Sequence, residues 1–268
     1  MATVAHINGR HEEIVSLVND HGRVAVADLA ERFVVTAETI RRDLKALEAQ
    51  GLLSRVHGGA VISLPSSPGD FMAIDEDDDQ LPTHQSQRRK QLIAQAALGL
   101  MPGPGGSVFI DAGSTTEAFA NVLAKNYVGQ NWSVVTNSPN VARIVASAGV
   151  PHVCVVGGFL KARTQAVVGE STVEQLRLLR ADVSFMGTNA LDLEFGLSTS
   201  DSREAQVKST MIGQSVRSVV LCDSTKLGRR VGVSFASVRD VDVVVTDRHA
   251  PEGFGQVLRS FETELVIP

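Results

Sequence analysis

The chain has 268 residues, 43 % of them hydrophobic and 21 % charged, with a net charge of −5. That balance excludes a mainly disordered chain and a collagen-like one, and the length fits about two domains. The longest charge-free stretch, Gln91 to Ile110, is broken by Pro102, Gly103, Pro104, Gly105 and Gly106, so no membrane helix is expected. The N-terminus reads MATVAHINGRHEEI and lacks the apolar core of a signal peptide, which points to a cytoplasmic protein. Cys154 and Cys222 lie in the apolar runs HVCVVGG and VVLCD, and read as buried free thiols of a reducing compartment. Neither has metal-ligand company beyond His152, so no metal site is expected.

In chain order, the first 62 residues carry three helical patterns. Arg10 to Asn19 places Ile14, Leu17 and Val18 on one face, with Gly22 as a stop and Val24 as a short extended step. Val26 to Phe33 follows. Thr36 then caps a third helix, AETIRRDLKALEAQ, which ends before Gly51. Ile40, Leu44 and Leu47 form its buried stripe, while Thr39, Arg41, Arg42 and Lys45 project elsewhere. After Gly51, Leu52, Ser54 and Val56 alternate with Leu53, Arg55 and His57, and Gly58-Gly59 turns the chain. This is a hairpin wing behind a helix-turn-helix, whose recognition helix presents its N-terminal residues to base edges. The block as a whole holds seven Lys or Arg against eight acids, so net charge gives DNA binding no support. Clustering does: four of the seven bases fall between positions 41 and 55.

The run VAVADLAERFVVTAETIRRDLKALEAQGLLSRVHGGA, Val24 to Ala60, resembles the winged helix-turn-helix of the DeoR family of transcription regulators. Its TIRRDL, LE, G-L and R-HGGA elements stand in order, with Thr36 where the family usually has Ser. The resemblance implies that Thr36, Thr39, Arg41, Arg42, Lys45, Arg55 and His57 face double-stranded DNA.

Next comes an acidic segment. Asp70 to Asp79, DFMAIDEDDD, holds six carboxylates and no base, and without it the chain is nearly neutral. Flanked by PSSPG and LPT, it reads as a flexible linker spanning 64–86, between a DNA-binding domain at 1–63 and a second domain at 87–268.

That second domain alternates helix and strand. Helices are expected over Arg88–Leu100, after DAGSTT through Lys125, from Pro139 through Ala148, and over Val173–Leu179 and Arg203–Val216. Strands are expected over Ser107–Ile110, Ser133–Thr136, His152–Val156, Val183–Met186, Val219–Cys222 and Val241–Val245. The fold class is α/β: a mostly parallel sheet covered on both faces, with ligands bound outside the carboxyl ends of its strands. Polar residues sit there. Asp111-Ala112-Gly113-Ser114-Thr115-Thr116 pairs a permissive glycine with three hydroxyls and the amides of a new helix, which suits a phosphate. Asn137, Gly157-Gly158, Gly187 with Asn189 and Asp192, Glu204, Lys208, and Asp223 with Lys226 recur at later strand ends. Glu204 and Lys208 also fit an i, i+4 surface pair. No G-x-x-x-x-G-K-[ST] is present, and GPGGS precedes its strand, so neither a nucleoside triphosphatase nor a dinucleotide site is expected.

DAGSTT, VVTNS, VVGG, ADVSFMGTNALD with EFGLST, and LCDSTKLG resemble the effector domain of the same family. GTNALD departs from its more usual G-x-x-G-I/V-D, and Thr225 stands where Ser is common. That domain is similar in fold to ribose-5-phosphate isomerase and CoA-transferases. By this resemblance Gly113, Ser114, Thr115 and Thr116 hold a phosphate. Asp111, Asn137, Asp192, Glu204 and Lys226 line the sugar side, and Gly157, Gly158 and Asp223 join the same cleft. The implied protein is a transcription regulator, most often a repressor of carbohydrate-metabolism genes, that answers a phosphorylated sugar and works as a homo-oligomer, dimer or tetramer, without a cofactor. The alternative is an isomerase-like enzyme using Asp111, Glu204 and Lys226 for proton transfer. It leaves the DNA-reading block without purpose, and the chain is read as a non-enzyme.

Overall fold

The computed structural model of the chain describes residues 9–11, 13–18, 23–49, 52–56, 59–62 and 84–268. The chain divides into two compact units, Met1–Gly69 and Asp70–Pro268.

In the first unit, residues 9–11 and 13–18 are helical (α1). Then come strand β1 (Arg23–Ala25), helices α2 (Val26–Arg32) and α3 (Ala37–Ala49), and the hairpin strands β2 (Leu53–Val56) and β3 (Gly59–Ile62). The extended step at Val24 proves to be a strand: β1 pairs antiparallel with β3, giving the order β1-β3-β2. The expected stripe of α3 is buried, with Ile40, Leu44 and Leu47 packed on Ile14, Val18, Leu29, Leu53 and Ala60. Thr36 caps α3 by accepting from the Thr39 amide at 3.2 Å. Between α2 and α3 the chain turns through Val34, whose φ of 53° lies in the left-handed region although its side chain is 90 % exposed. A β-branched residue there costs about 1–2 kcal/mol, and no packing offsets it.

The second unit opens with α4 (His84–Leu98), β4 (Ser107–Ile110), α5 (Ser114–Asn126), β5 (Ser133–Thr136), α6 (Pro139–Ser147) and β6 (His152–Val155). A short hairpin, β7 (Phe159–Leu160) and β8 (Val167–Val168), leads to α7 (Glu170–Arg177), β9 (Ala181–Gly187), β10 (Ala190–Asp192), β11 (Gly196–Thr199) and α8 (Ser202–Gly213). The chain finishes with β12 (Ser215–Leu221), β13 (Val233–Ala236), β14 (Val243–Val245), α9 (Phe254–Arg259) and β15 (Glu264–Val266). Seven strands form one all-parallel sheet in the order β15-β14-β12-β9-β4-β5-β6. Continuous apolar runs such as VVV in β14 are buried on both faces, as a parallel sheet between helices requires. One core lies against α4, α5 and α6, the other against α7, α8 and α9. Local chemistry marks the helix starts: Ser138 accepts from the Val141 amide ahead of Pro139, and Asp201 accepts from the Arg203 and Glu204 amides.

Several expectations shift. Helix α4 begins at His84, four residues before Arg88, so residues 84–86 of the expected linker are helical; the rest of that linker, 64–83, falls outside the described residues. Helix α8 stops at Gly213 rather than Val216, because Ser215 and Val216 already belong to a seven-residue strand. Cys222 is buried, but Cys154 is exposed, since β6 is the sheet's edge strand and leaves part of its surface uncovered. A second small sheet, β10-β11-β13, was not expected.

The strain at Val34 can be removed. Val34→Asn, which tolerates left-handed backbone, should raise the opening free energy of this unit by about 1 kcal/mol. Slower amide hydrogen exchange across residues 26–49 of the full-length protein would show it, and unchanged exchange would show an unstrained turn.

Candidate functional site

The first unit presents a basic helix face. Thr36, Arg41, Arg42 and Lys45 are exposed and Thr39 is half-buried. Arg41 pairs loosely with Glu38 at 3.2 Å, both well exposed, while Arg42 and Lys45 have no ion pair among the described residues. Arg55 lies in β2, and His57 falls outside the described residues. What holds this face is Asp43, a residue the sequence reading passed over. It is 7 % exposed and sits on the inner side of α3. There it accepts from Arg10 Nε at 2.7 Å and Nη2 at 3.1 Å, and it meets His11 Nε2 at 3.1 Å. Burial alone would raise its pKa; the hydrogen bonds and charges of Arg10 and His11 outweigh that and lower it. The TIRRDL motif therefore puts two arginines outward and clamps the helix to α1 through its aspartate.

In the second unit, β4 and β9 are neighbours from which the chain runs outward in both directions, to β5-β6 and to β12-β14-β15. An α/β sheet opens a crevice at such a switch point. A cleft of about 500 Å³ lies there. Of the expected residues, Asp111, Gly113, Ser114, Thr115, Asn137, Glu204, Asp223 and Lys226 line it. Gly113 adopts φ 151°, which favours glycine, and α5 starts on it with no side-chain cap. The Ser114 and Thr115 amides thus open into the cleft without a protein acceptor, at the positive end of a 13-residue helix.

Four expected residues do not line the cleft. Thr116 is fully buried beneath the loop, its hydroxyl donating to the Gly113 carbonyl at 2.9 Å. The Gly157 amide donates to Gln175 Oε1 at 3.0 Å, and its carbonyl accepts from Thr172 Oγ1 at 2.8 Å. At Gly158, φ is 153° and an added Cβ would lie 2.1 Å from Thr172 Oγ1, so this glycine serves packing against α7. Asp192 turns its own chain, accepting from the Glu194 and Phe195 amides, and pairs with Arg230 at 3.0 Å.

The cleft floor is an ion pair. Asp111, at the end of β4, is 1 % exposed, and Lys208 of α8 is 5 % exposed. Lys208 Nζ donates to Asp111 Oδ2 and, at 3.0 Å, to the Gly187 carbonyl; the Gly187 amide donates to the same carboxylate at 3.2 Å. Burial pushes the Asp111 carboxyl above its usual range, against the pull of Lys208. One turn earlier on α8, Glu204 is a hub. Its Oε1 accepts from Lys161 Nζ at 2.7 Å and Thr164 Oγ1 at 2.9 Å, and its Oε2 from Thr199 at 3.3 Å. Lys161 also pairs with Asp201 at 2.9 Å. The surface-pair alternative for Glu204 and Lys208 therefore falls, since both are buried and reach inward to different partners.

Glu204 thus anchors the loop 161–166, which brings Arg163, Thr164 and Gln165 to the cleft. Asn137 is likewise a strut. Its Oδ1 accepts from the Ala112 amide at 2.9 Å and its Nδ2 donates to the Val167 carbonyl at 3.2 Å, tying the β4 loop to the hairpin. Further cations line the wall: Lys90 of α4 and Arg229, neither with an ion pair among the described residues. The unaccompanied basic run Arg88-Arg89-Lys90 was a signal for the first. Loop 161–166 carries no periodicity that would have revealed it. Among the described residues no cluster of His, Cys, Asp or Glu could hold a metal, and no helix is long and apolar enough to cross a membrane.

The DeoR-like helix-turn-helix domain matches residues 10–65, and the DeoR C terminal sensor domain matches residues 85–248. The chain belongs to the DeoR family. Its DeoR-family relatives align along nearly their whole length. The glycerol-3-phosphate regulon repressor of Escherichia coli is 33 % identical over 96 % of this chain and 98 % of that one. The HTH-type transcriptional regulator GlpR of Haloferax volcanii is 37 % identical over 89 % of each. Among solved structures, ribose 5 phosphate isomerase A from Neisseria gonorrhoeae aligns with a TM-score of 0.38 and 17 % identity, covering 57 % of this chain and 56 % of that one. That likeness is too remote to bear on activity. As a DeoR-family member, the chain is a DNA-binding transcription regulator.

Lys161 holds the Asp201 and Glu204 carboxyls below their ordinary range despite burial. A carboxyl depressed by folding stabilises the fold above its unfolded pKa, and that share is lost as pH falls through the folded value. Lys161→Met should therefore lower stability at pH 7 and flatten its decline below about pH 4. Urea unfolding of the full-length protein between pH 7 and 3 reads this directly; parallel curves for variant and wild type would assign the depression elsewhere.

Proposed function

We propose that the chain is a repressor of a carbohydrate-metabolism operon, and that a phosphorylated sugar in the sensor cleft modulates its grip on operator DNA. The observation that carries this reading is the open start of α5. Amides at Ser114 and Thr115 and the cations Lys90 and Arg229, none with a partner among the described residues, line one cleft, an arrangement suited to a phosphate. Asp111, Gly113, Asn137, Glu204, Asp223 and Lys226 complete the effector site, Asn137 and Glu204 by positioning its loops. The names of the relatives make glycerol 3-phosphate the first ligand to test.

DNA recognition falls to Thr36, Thr39, Arg41, Arg42, Lys45, Arg55 and His57. A single winged helix reads few base pairs, which favours a dimer or tetramer acting on operator DNA in the cytoplasm. The domain division that fits is a head at 1–63, an acidic linker reaching α4, and the sensor. The two matched stretches, 10–65 and 85–248, and the division into two compact units support this reading. A catalytic cleft is disfavoured, because Glu204 has both oxygens occupied and Asp111 is clamped by Lys208, so neither carboxylate is a free general base. The relatives are regulators as well.

Arg41→Ala and Arg42→Ala should each cost about 1–3 kcal/mol in operator binding, measured by fluorescence anisotropy on a duplex selected in vitro. Unchanged affinity in both would remove the recognition-helix assignment. The pair Ser114→Ala with Thr115→Ala should leave that affinity intact while weakening the thermal shift given by glycerol 3-phosphate, by about tenfold in ligand concentration. An undiminished shift would remove the two hydroxyls from the cradle, and Ser114→Pro, which deletes the first amide at a helix position that tolerates proline, then tests the amides themselves.

A further inference from the structure

We propose that Lys90 reads occupancy of the cleft and passes it along α4 to the segment leading to the DNA-binding unit; this rests on the cleft being an effector site. Three observations meet in α4. It is the first described element of the sensor unit, and in the sequence it follows the chain that leads from the DNA-binding unit. Its buried residues, Ile93, Ala94 and Ala97, all lie in its second half. From His84 to Leu92 no residue is fully buried, so the half nearest the connection is held less tightly than the half fixed in the core. Finally, Arg89 Nε in the half nearest the connection is buried without a partner, and Lys90 has no ion pair among the described residues.

Helix α4, HQSQRRKQLIAQAAL, contains no carboxylate to pair with Arg88, Arg89 or Lys90. The Arg89 Nε is buried without an acceptor, a cost that native proteins seldom leave standing. Lys90, half-buried, reaches the cleft wall from six residues past the helix start, about 9 Å along the axis. Helix α4 packs on α5, whose first amides open into the same cleft. A phosphate arriving there supplies an anion that Lys90 does not find among the described residues. Its pull on Lys90 is exerted on the half of the helix with the fewest core contacts of its own.

The test uses the full-length protein, a duplex selected in vitro, and glycerol 3-phosphate within a panel of three- to six-carbon sugar phosphates. In wild type, the active compound should raise the melting temperature and weaken duplex binding about 5–150-fold, the usual range of coupling. Lys90→Gln will weaken ligand binding as well, so coupling is read with ligand raised until the thermal shift saturates; at saturation it should fall to about twofold or less. Lys90→Arg should restore it. Reciprocity gives an independent readout, since duplex should lower ligand affinity in wild type and not in Lys90→Gln. Amide exchange over residues 84–92 should respond to ligand only where coupling survives.

Coupling in Lys90→Gln equal to wild type overturns the proposal. So does loss of the thermal shift together with the coupling, which makes Lys90 a ligand contact and nothing more. A wild type that no sugar phosphate stabilises overturns the effector reading first, and this inference with it.

Discussion

Two opposite charges removed from water are costly unless they meet, and Asp111 and Lys208 meet at the point where the parallel sheet changes direction. The pair joins the end of β4 to the middle of α8 and takes both backbone groups of Gly187, at the end of β9, into the same knot. Everything around the cleft depends on that geometry. With β4 and β9 held at a fixed separation, Gly113 can start α5 with its amides facing inward. With α8 held by Lys208, Glu204 is aimed at the loop from Lys161 to Ala166. The Phe235 ring lies 5.7 Å from Lys208 Nζ and closes the far side, so the ammonium is enclosed by a carboxylate, a carbonyl and an aromatic face.

The DNA-binding head repeats the device in smaller form. Asp43 is held by Arg10 and His11 where α3 meets α1, while Arg42 and Lys45 on the outside of the same helix keep their charge unspent. In both units an inward carboxylate sets the pose of the element it holds. Partnered charges position, and unpartnered ones remain available for recognition.

Much of this was legible in the sequence, for reasons that differ by residue. The stripe Ile40, Leu44, Leu47 and the valine-rich strands could be read because burial imposes a period on the chain. DAGSTT could be placed at the cleft because a glycine and small polar residues follow a buried strand there, although Thr116 turns beneath the loop. Gly157, Gly158 and Asp192 looked like cleft residues by the same rule, yet each is consumed by its own neighbourhood: a glutamine, a threonine side chain, a tight turn. Position at a strand end shows where a polar group can serve a ligand, but not whether a neighbour has already taken it. Loop 161–166 and the two-residue strands beside it were hidden, since so short a segment has no periodicity and is fixed by a contact 43 positions away, between Lys161 and Glu204. The exposure of Cys154 was hidden too, because a strand's place at the rim of a sheet is a property of the whole topology.

Helix α8 carries one further consequence. Asp201 caps it, Glu204 anchors the loop and Lys208 closes the floor, so three separate tasks are strung along eight consecutive positions. Inserting or deleting one residue there would turn everything beyond it by about 100°, and no adjustment of rotamers could bring both side chains back. This stretch can therefore absorb an exchange of side chains but not a change of length, and it acts as a ruler that fixes the spacing of the cap, the loop anchor and the cleft floor.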